Sequence, residues 1–148
     1  MIVPELVMRR EGDVDMTVVQ EQRGPLIFQK WIEGCAGRDG VDQAVAYQVM
    51  LAVEEAVMNV IGYAFEGQPP PHSITVRLDI DAAKIAAEVS DNGRPFDPTA
   101  MPEPDLSLPL EQRRVGGLGV HLMRNMMDRL DYRRDGGRNV LRLEKARD

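Results

Sequence analysis

Apolar positions change their spacing along the chain, and this spacing predicts the secondary structure. From Gln43 to Phe65 they recur every three or four residues, which is typical of an amphipathic helix, and Asp42 is suited to cap its start. This is the longest periodic run in the chain. Its apolar face is wide enough for a helix laid across a sheet and comprises Val45, Val49, Ala52, Val53, Ala56, Val57, Val60 and Ile61.

A spacing of two predicts strands in other segments. Ser73 to Ile80 alternates between apolar and polar residues, and Ile85 to Ser90 follows it as the second strand of a hairpin. Asp131 to Arg134 and Val140 to Lys145 flank the sequence DGGRN, which is a strong hairpin signal. A first strand is expected from Glu5 to Arg10.

Two further helices and one irregular segment complete the pattern. A helical spacing spans Thr17 to Gly34, and because proline is tolerated only near a helix start, its main part should run from Pro25 to Gly34, with Phe28, Trp31 and Ile32 on one face. Another helix is predicted from Leu118 to Leu130. The segment after Pro98 contains three more prolines, so we expect an irregular loop that could act as a lid, at about residues 98–116.

Length and charge limit the class of protein. A chain of 148 residues suits one domain, 1–148, and its 43% hydrophobic and 28% charged residues are typical of a folded protein. The formal net charge is −6, and no long basic run is present that could neutralise a phosphate backbone. We therefore expect no direct binding to nucleic acid.

Cysteine usage and hydropathy indicate a cytoplasmic protein. The single cysteine, Cys35, cannot form an internal disulfide, and no Cys/His cluster has the spacing of a zinc site. No uninterrupted apolar run approaches the roughly 20 residues of a membrane span, and the N-terminal segment lacks the features of a signal peptide. We expect no association with a membrane.

The sequence SDNGRPFDP, from Ser90 to Pro98, is the first candidate for chemistry. Asp91 follows an apolar strand, and Asn92 and Gly93 then form a turn. A carboxylate at a strand end can accept a hydrogen bond from an amino group, and a neighbouring glycine allows a flat ring to approach the backbone closely. Adenine is such a ring.

A glycine-rich turn precedes the last predicted helix. Gly116, Gly117 and Gly119 would leave backbone N–H groups free at the helix start, where the helix dipole also favours phosphate. The same glycines could form a simple turn, so the pattern indicates a phosphate-binding site only in combination with Asp91. His121 could contact a phosphate there or serve as a packing or capping residue.

Two polar residues interrupt the apolar face of the long helix. Glu55 and Asn59 are four residues apart and therefore point the same way, one turn above the other. In one interpretation, Glu54 and Glu55 lie on a solvated edge and Asn59 is a satisfied core amide. In the other, the Asn59 carbonyl oxygen binds a hard cation such as Mg²⁺, and Glu55 is a general base.

Three motifs in this order resemble the Bergerat-fold (GHKL) ATP-binding superfamily. They are LAVEEAVMNVIGYAF, DNGRPFDP and RRVGGLGVHLMRNMMD, and the similarity extends from about Val14 to Lys145. The chain most closely resembles the small stand-alone anti-sigma-factor serine/threonine kinases. The resemblance implies an α+β fold, a two-layer α/β sandwich with a mixed, mainly antiparallel sheet covered on one face by helices.

The resemblance also implies a role for each matching residue. Glu55 would be the catalytic base, Asn59 the Mg²⁺ ligand and Asp91 the adenine acceptor. A lid arginine, Arg113 or Arg114, would point at the terminal phosphate. The predicted nucleotide-binding set is Asn59, Asp91, Gly93, Arg114, Gly117, Gly119 and Val120.

The implied function is that of an ATP- and Mg²⁺-dependent kinase in a partner-switching system. It would phosphorylate a serine or threonine on an anti-anti-sigma partner of the STAS type, and it would alternately hold a sigma factor. A homodimer is consistent with the same analogy.

Two alternatives follow from departures and absences in the sequence. Gly62 and Tyr63 stand where many family members have a basic residue and a histidine, which favours an ATP-binding interaction module that sequesters a regulator without transferring phosphate. A detached catalytic domain of a sensor histidine kinase is the second alternative. It is disfavoured because no helical hairpin carries a phosphoacceptor histidine.

Overall fold

The computed structural model describes residues 6–8, 14–17, 24–101, 107, 109 and 117–147. A π-helical turn, Val60–Ala64, continues the second helix, and a 3-10 turn, Pro98–Ala100, follows the fourth strand. In chain order the elements are β1 (Leu6–Met8), β2 (Val14–Thr17), α1 (Gly24–Arg38), α2 (Gln43–Asn59), β3 (Ser73–Ile80), β4 (Lys84–Asp91), α3 (Gly117–Met126), β5 (Arg129–Asp135) and β6 (Arg138–Ala146).

Within the described residues the strands form one six-stranded sheet in the order β1-β2-β3-β4-β6-β5, and every pairing is antiparallel. The predicted α+β fold is therefore confirmed. The DGGR turn forms the predicted β5–β6 hairpin, with Asp135 opposite Arg138 and positive φ angles at Gly136 and Gly137. Because β6 lies between β4 and β5, the end of β4 meets the start of β6, and Asp91 is opposite Asn139.

The hydrophobic core lies between one face of the sheet and the helices. Alternate residues of the strands point into it, including Ile74 and Val76 of β3 and Leu143 of β6. The helix α2 contributes the predicted apolar face, of which Val45 and Ile61 are only partly buried. The buried members of that face are Val49, Ala52, Val53, Ala56, Val57 and Val60.

The opposite face of the sheet carries charged residues. Arg142 of β6 lies among three carboxylates, at 3.2 Å from Asp79, 3.0 Å from Glu88 and 2.9 Å from Glu144. The two-residue period of the strands thus separates an apolar face from an ion-pair network, which fixes the register of the sheet.

The helix α2 and its π-helical extension are long and apolar enough to cross a membrane by length and composition alone. Half of the most apolar window is buried inside the protein. The buried residues of α2 belong to the hydrophobic core of the protein. Asp42 caps the start of the helix as predicted, and it accepts a hydrogen bond of 2.8 Å from the Ala44 N–H.

The helix α1 extends beyond its predicted end at Gly34 and finishes at Arg38. Cys35 and Ala36 are buried, and their packing outweighs the roughly 1 kcal/mol cost of a glycine inside a helix. The turn that follows terminates the helix, because Gly40 has a φ of +69° and the Val41 N–H donates to the Ala36 carbonyl oxygen at 2.9 Å. Trp31 and Ile32 are buried as expected, whereas the side chain of Phe28 lies outside the described ones.

Two boundaries near the sheet also differ from prediction. Thr17, expected to begin a helix, ends β2, because the segment from Val14 pairs with β3. The helix α3 ends at Met126 rather than Leu130, since Leu130 pairs with Leu143 in the sheet. Both differences come from strand pairing between distant parts of the chain.

Two expectations about the ends of the chain and the lid stay predictions. The described residues do not test the bounds of a single domain, 1–148. In the predicted lid, Pro98–Ala100 form a 3-10 turn capped by Asp97, while most positions from 102 to 116 lie outside the described residues.

The two helix-end glycines provide a stability test. An added Cβ at Gly37, inside α1, meets no atom within 4 Å, whereas Gly40 has a positive φ. We expect Gly37→Ala to raise the free energy of unfolding by about 0.5–1 kcal/mol and Gly40→Ala to lower it by about 1 kcal/mol. Urea unfolding of both variants measures these changes. A destabilised Gly37→Ala variant would contradict the helical conformation of α1 at Gly37.

Candidate functional site

Asp91, the last residue of β4, is a buried carboxylate with only 2% of its surface exposed. Its Oδ1 accepts hydrogen bonds from the Gly93 N–H at 2.8 Å and from the Asn139 Nδ2 at 2.9 Å. Among the residues that the structure describes, its Oδ2 accepts none. Burial raises the pKa of Asp91, and these two hydrogen bonds together with Arg138 and Arg134 oppose that rise.

The turn after Asp91 is held against the end of the π-helical turn, at Ala64. A Cβ at Gly93 would lie 2.5 Å from the Ala64 carbonyl oxygen, so a larger residue would clash with backbone. The Arg94 N–H donates to the same oxygen at 2.9 Å. On its other side the turn is joined to β3 by Asn92, whose Oδ1 accepts from the Ser73 N–H at 2.9 Å. Gly93 is thus needed for the close packing of this turn on the Ala64 backbone. The approach of a flat ring to Gly93, expected from the sequence, stays a prediction.

A small cavity of about 20 Å³ opens beside Asp91, between α2 and the sheet. This volume corresponds to about one water molecule. A purine ring is larger than this cavity, so its binding would require side chains around the cavity to move. The lining residues include Ala56, Asn59, Val60, Val89, Asp91, Phe96, Pro98, Tyr132, Asn139 and Leu141.

Asn59 lines this cavity with an amide group that lacks a partner. The residue is 5% exposed, and its Nδ2 has no hydrogen-bond partner within the described part of the chain. A buried polar group in that state costs about 1–3 kcal/mol, so it needs an explanation. A satisfied core amide, one of the two interpretations from the sequence, does not describe it.

Glu55 lies one turn before Asn59 on α2 and is half-buried. Burial raises the pKa of its carboxyl group, and the neighbouring charge of Glu54 raises it further. A Cβ added at Gly119 would meet the Glu55 carboxyl group, with its Cδ at 3.2 Å. The carboxyl group therefore packs against the first turn of α3, and Glu55 is not on a solvated edge.

The structure describes only some of the residues that were predicted for the glycine-rich turn and the lid. Gly117 begins α3, and the side chain of Val120 is buried in the core, so only its backbone could face a ligand. His121 Nε2 lies 3.2 Å from the Asn125 Nδ2, one turn along the same helix. The lid arginines and the first glycine of the turn, Arg113, Arg114 and Gly116, lie outside the described residues.

Tyr63, which stands where many family members have histidine, packs beside the cavity. Its ring stacks on Phe96 with centroids 5.1 Å apart and an interplanar angle of 13°. Its carbonyl oxygen accepts a hydrogen bond of 2.9 Å from the Arg94 Nε. The stacked ring and this backbone hydrogen bond together join the π-helical turn to the wall of the cavity.

Asn139 is a site residue that the sequence analysis missed. It is 4% exposed and takes part in five hydrogen bonds, one of them to Asp91. The available signal was its position in the inward-facing row of β6, where the next two members are Leu141 and Leu143. A polar residue in such a row must find partners, because burial without them is costly.

The polar groups around the cavity fit an adenine nucleotide with a hard cation. Asp91 offers an open carboxylate oxygen and Asn59 an unpartnered amide nitrogen at the cavity, and the N-terminus of α3 lies beside Glu55, one turn from Asn59. Within the described residues no group of three His, Cys, Asp or Glu side chains could hold a metal ion. A cation here would therefore need phosphate and water as its other ligands.

Comparison with known proteins agrees with this chemistry. Residues 25–145 match the family described as histidine kinase-like ATPase domain. The serine/threonine-protein kinase BtrW of Bordetella bronchiseptica is 32% identical over 115 residues, which cover 76% of this chain and 79% of that protein. The serine-protein kinase RsbW of Listeria monocytogenes is 32% identical over 114 residues, with 74% and 72% covered. RsbW of Halalkalibacterium halodurans is 28% identical over 128 residues, with 84% and 77% covered.

The raised pKa of Asp91 predicts a stability cost at neutral pH. In Asp91→Asn the new Oδ1 can keep both hydrogen bonds without a buried charge, so we expect a higher free energy of unfolding than in the parent at pH 7. A carboxyl group with a raised pKa costs no stability once it is protonated. The gap between variant and parent should shrink as the pH falls through the raised pKa, and it should vanish below the ordinary value of 3.8.

Urea unfolding of both proteins across this range measures the gap. Reading the difference between the two proteins removes the contributions of other carboxylates such as Asp79. A variant that is less stable than the parent at pH 7 would contradict the conclusion that burial of the Asp91 charge outweighs the interactions that stabilise it.

Proposed function

Because this chain belongs to the histidine kinase-like ATPase domain family, we propose that it is an ATP- and Mg²⁺-dependent serine/threonine protein kinase that acts as an anti-sigma regulatory factor. The observation that carries the proposal is the buried Asn59 Nδ2, a donor with no acceptor among the described residues, in the side chain that lines the same cavity as Asp91. A phosphate oxygen would supply that acceptor. The kinase names of the relatives support the reaction class.

Asp91 is the proposed acceptor for the exocyclic amino group of adenine. Its Oδ1 is already occupied by two N–H donors, while Oδ2 accepts no hydrogen bond from the described residues. The absence of a side chain at Gly93 lets this turn pack on the Ala64 carbonyl group, and the Gly93 N–H holds Oδ1 beside the proposed position of the base.

Asn59 and the first turn of α3 are the proposed contacts for the phosphates and the cation. Bound Mg²⁺ would neutralise phosphate charge and hold the phosphate oxygens in position for transfer. The Asn59 carbonyl oxygen is assigned as the protein ligand to it. The backbone at Gly117, Gly119 and Val120, and Arg114 from the lid, are assigned to the phosphates.

Glu55 is the proposed general base. It lies one turn from Asn59, and its raised pKa brings its proton affinity closer to that needed near neutral pH. In this role its carboxylate would accept the proton of the attacking serine or threonine hydroxyl. Its contact with Gly119 places it at the N-terminal end of α3, which is the proposed binding site of the phosphates.

The proposed substrate is an anti-anti-sigma protein with a STAS domain, and the proposed second partner is a sigma factor. Both belong to a partner-switching system in the cytoplasm, in which a homodimer of this chain would be the working form. A binding module that holds a regulator without phosphorylating it is the alternative, and Tyr63 in place of histidine is the feature that favours it.

Nucleotide binding is the first test. Calorimetric titration with ATP and ADP, each with and without Mg²⁺, should show binding by the parent that Mg²⁺ strengthens. Asp91→Asn should weaken ATP binding by about 10- to 100-fold, because a charge-assisted hydrogen bond is lost. Unchanged ATP affinity in this variant would contradict the role of Asp91, and no binding to the parent would refute the proposed function.

Phosphate transfer is the second test. Glu55→Gln should bind ATP like the parent and transfer phosphate to a STAS-domain partner about 10²- to 10⁴-fold more slowly. Glu54→Gln is the matched control, because it removes the charge of the adjacent residue and leaves Glu55, the assigned base, in place. A parent that binds ATP and transfers no phosphate would favour the binding module, and equal rates in both variants would refute the assignment of Glu55.

A further inference from the structure

We propose that Asn139 is a positioning residue that sets the preference for adenine, because it holds Asp91 with one carboxylate oxygen occupied and the other directed to the ligand. This inference rests on the proposed function, in which Asp91 recognises the base. It assigns to a neutral amide on β6 a role that the three sequence motifs do not contain.

The amide of Asn139 is held in one orientation by its surroundings. Its Nδ2 donates to the Asp91 Oδ1 at 2.9 Å and to the Arg94 carbonyl oxygen at 2.8 Å. Its Oδ1 accepts from the Phe96 N–H at 3.1 Å, the Tyr132 hydroxyl at 2.6 Å and the Arg134 guanidinium at 3.1 Å. Turning the amide over would direct donors at donors and acceptors at acceptors, so only this orientation satisfies all five contacts.

This orientation determines what Asp91 can accept. With Asn139 and the Gly93 N–H both on Oδ1, the carboxylate cannot rotate without losing two hydrogen bonds in a buried site. Its remaining oxygen is then a fixed acceptor for an amino group. A base with a carbonyl oxygen at that position would bring acceptor against acceptor, and the site would reject it.

Asn139 also connects Asp91 to the wall of the cavity. Through the Arg94 carbonyl oxygen and the Phe96 N–H it fixes the backbone that carries the Phe96 ring, which lines the cavity beside Asp91. One side chain therefore controls both the orientation of the acceptor and the position of the wall against which a ring would pack.

The test compares two nucleotides that differ at the group facing Asp91. ATP carries an amino group on its base, and inosine triphosphate carries a carbonyl oxygen at the same position. By calorimetry we expect the parent to prefer ATP by about 100-fold, and Asn139→Ala to reduce that preference by about tenfold or more. The readout is the ratio of the two affinities, which a general loss of stability would not change.

Asn92→Ala is the matched control. This asparagine lies in the same turn and bonds to Ser73 and Pro71, without any hydrogen bond to Asp91. Its loss loosens the turn, so both affinities should fall together and their ratio should stay close to that of the parent. A control ratio that falls as far as that of Asn139→Ala would overturn the specific role of Asn139.

Asn139→Asp keeps the shape of the side chain and covers the case in which Asn139→Ala does not fold. It retains an acceptor for Phe96 and Tyr132 but replaces the donor to Asp91 with a second carboxyl group, so the two carboxyl groups would share a proton. We expect its ATP preference to be at least tenfold below the parent's at pH 8 and to recover partly at pH 5, where the shared proton restores a donor.

The outcomes separate this inference from the proposed function. A parent-like preference in either Asn139 variant overturns the positioning role while ATP binding by the parent keeps the function intact. A parent that binds ATP and inosine triphosphate equally overturns the positioning role and the assignment of Asp91 to the amino group, while nucleotide binding itself stands. A parent that binds neither nucleotide overturns both.

Discussion

A single buried carboxylate organises one end of this molecule. Asp91 is almost entirely withdrawn from water at the end of a central strand, where the charged form is disfavoured and the pKa is raised. Its two hydrogen-bond donors come from the turn that follows it and from the neighbouring strand β6. The close packing of Gly93 on the π-helical turn and the network around Asn139 both hold this charge in a site where one carboxylate oxygen lacks a donor among the described residues.

The helix α2 brings the second unsatisfied group to the same place. Most of its apolar residues pack in the core and fix its position, so Asn59 has little freedom to seek solvent. A protein that keeps a buried carboxylate and an unpartnered amide around one cavity gives up stability there. Such a pair is explained if a ligand supplies the missing donor to one and the missing partner to the other.

The wall opposite these groups is built by aromatic packing. Tyr63 stacks on Phe96, and the same segment is anchored by Arg94 to the π-helical turn and by Asn139 to the sheet. The cavity is therefore bounded by side chains and backbone that depend on one another. Its small volume follows from these contacts, and entry of a purine requires that they rearrange together.

Local pattern was sufficient for most of the elements, although β2 was not predicted. The bounds of β3 and the presence of the β5–β6 hairpin could be predicted because side-chain alternation and turn chemistry are properties of adjacent residues. Glu55 and Asn59 could be paired because a helix brings residues four apart to one face. The end of α1 was wrong because packing of Cys35 and Ala36 outweighed the local preference of Gly34.

What the sequence by itself determined was the identity of most elements and, through the family resemblance, the α+β class. Tertiary structure alone decided which of them meet. Asn139 became a partner of Asp91, 48 residues away in the chain, only because the strand order inserts β6 between β4 and β5. Periodicity reports on neighbours along the chain, whereas the partner of a buried polar group is selected by contacts between distant strands, and no local pattern contains that information.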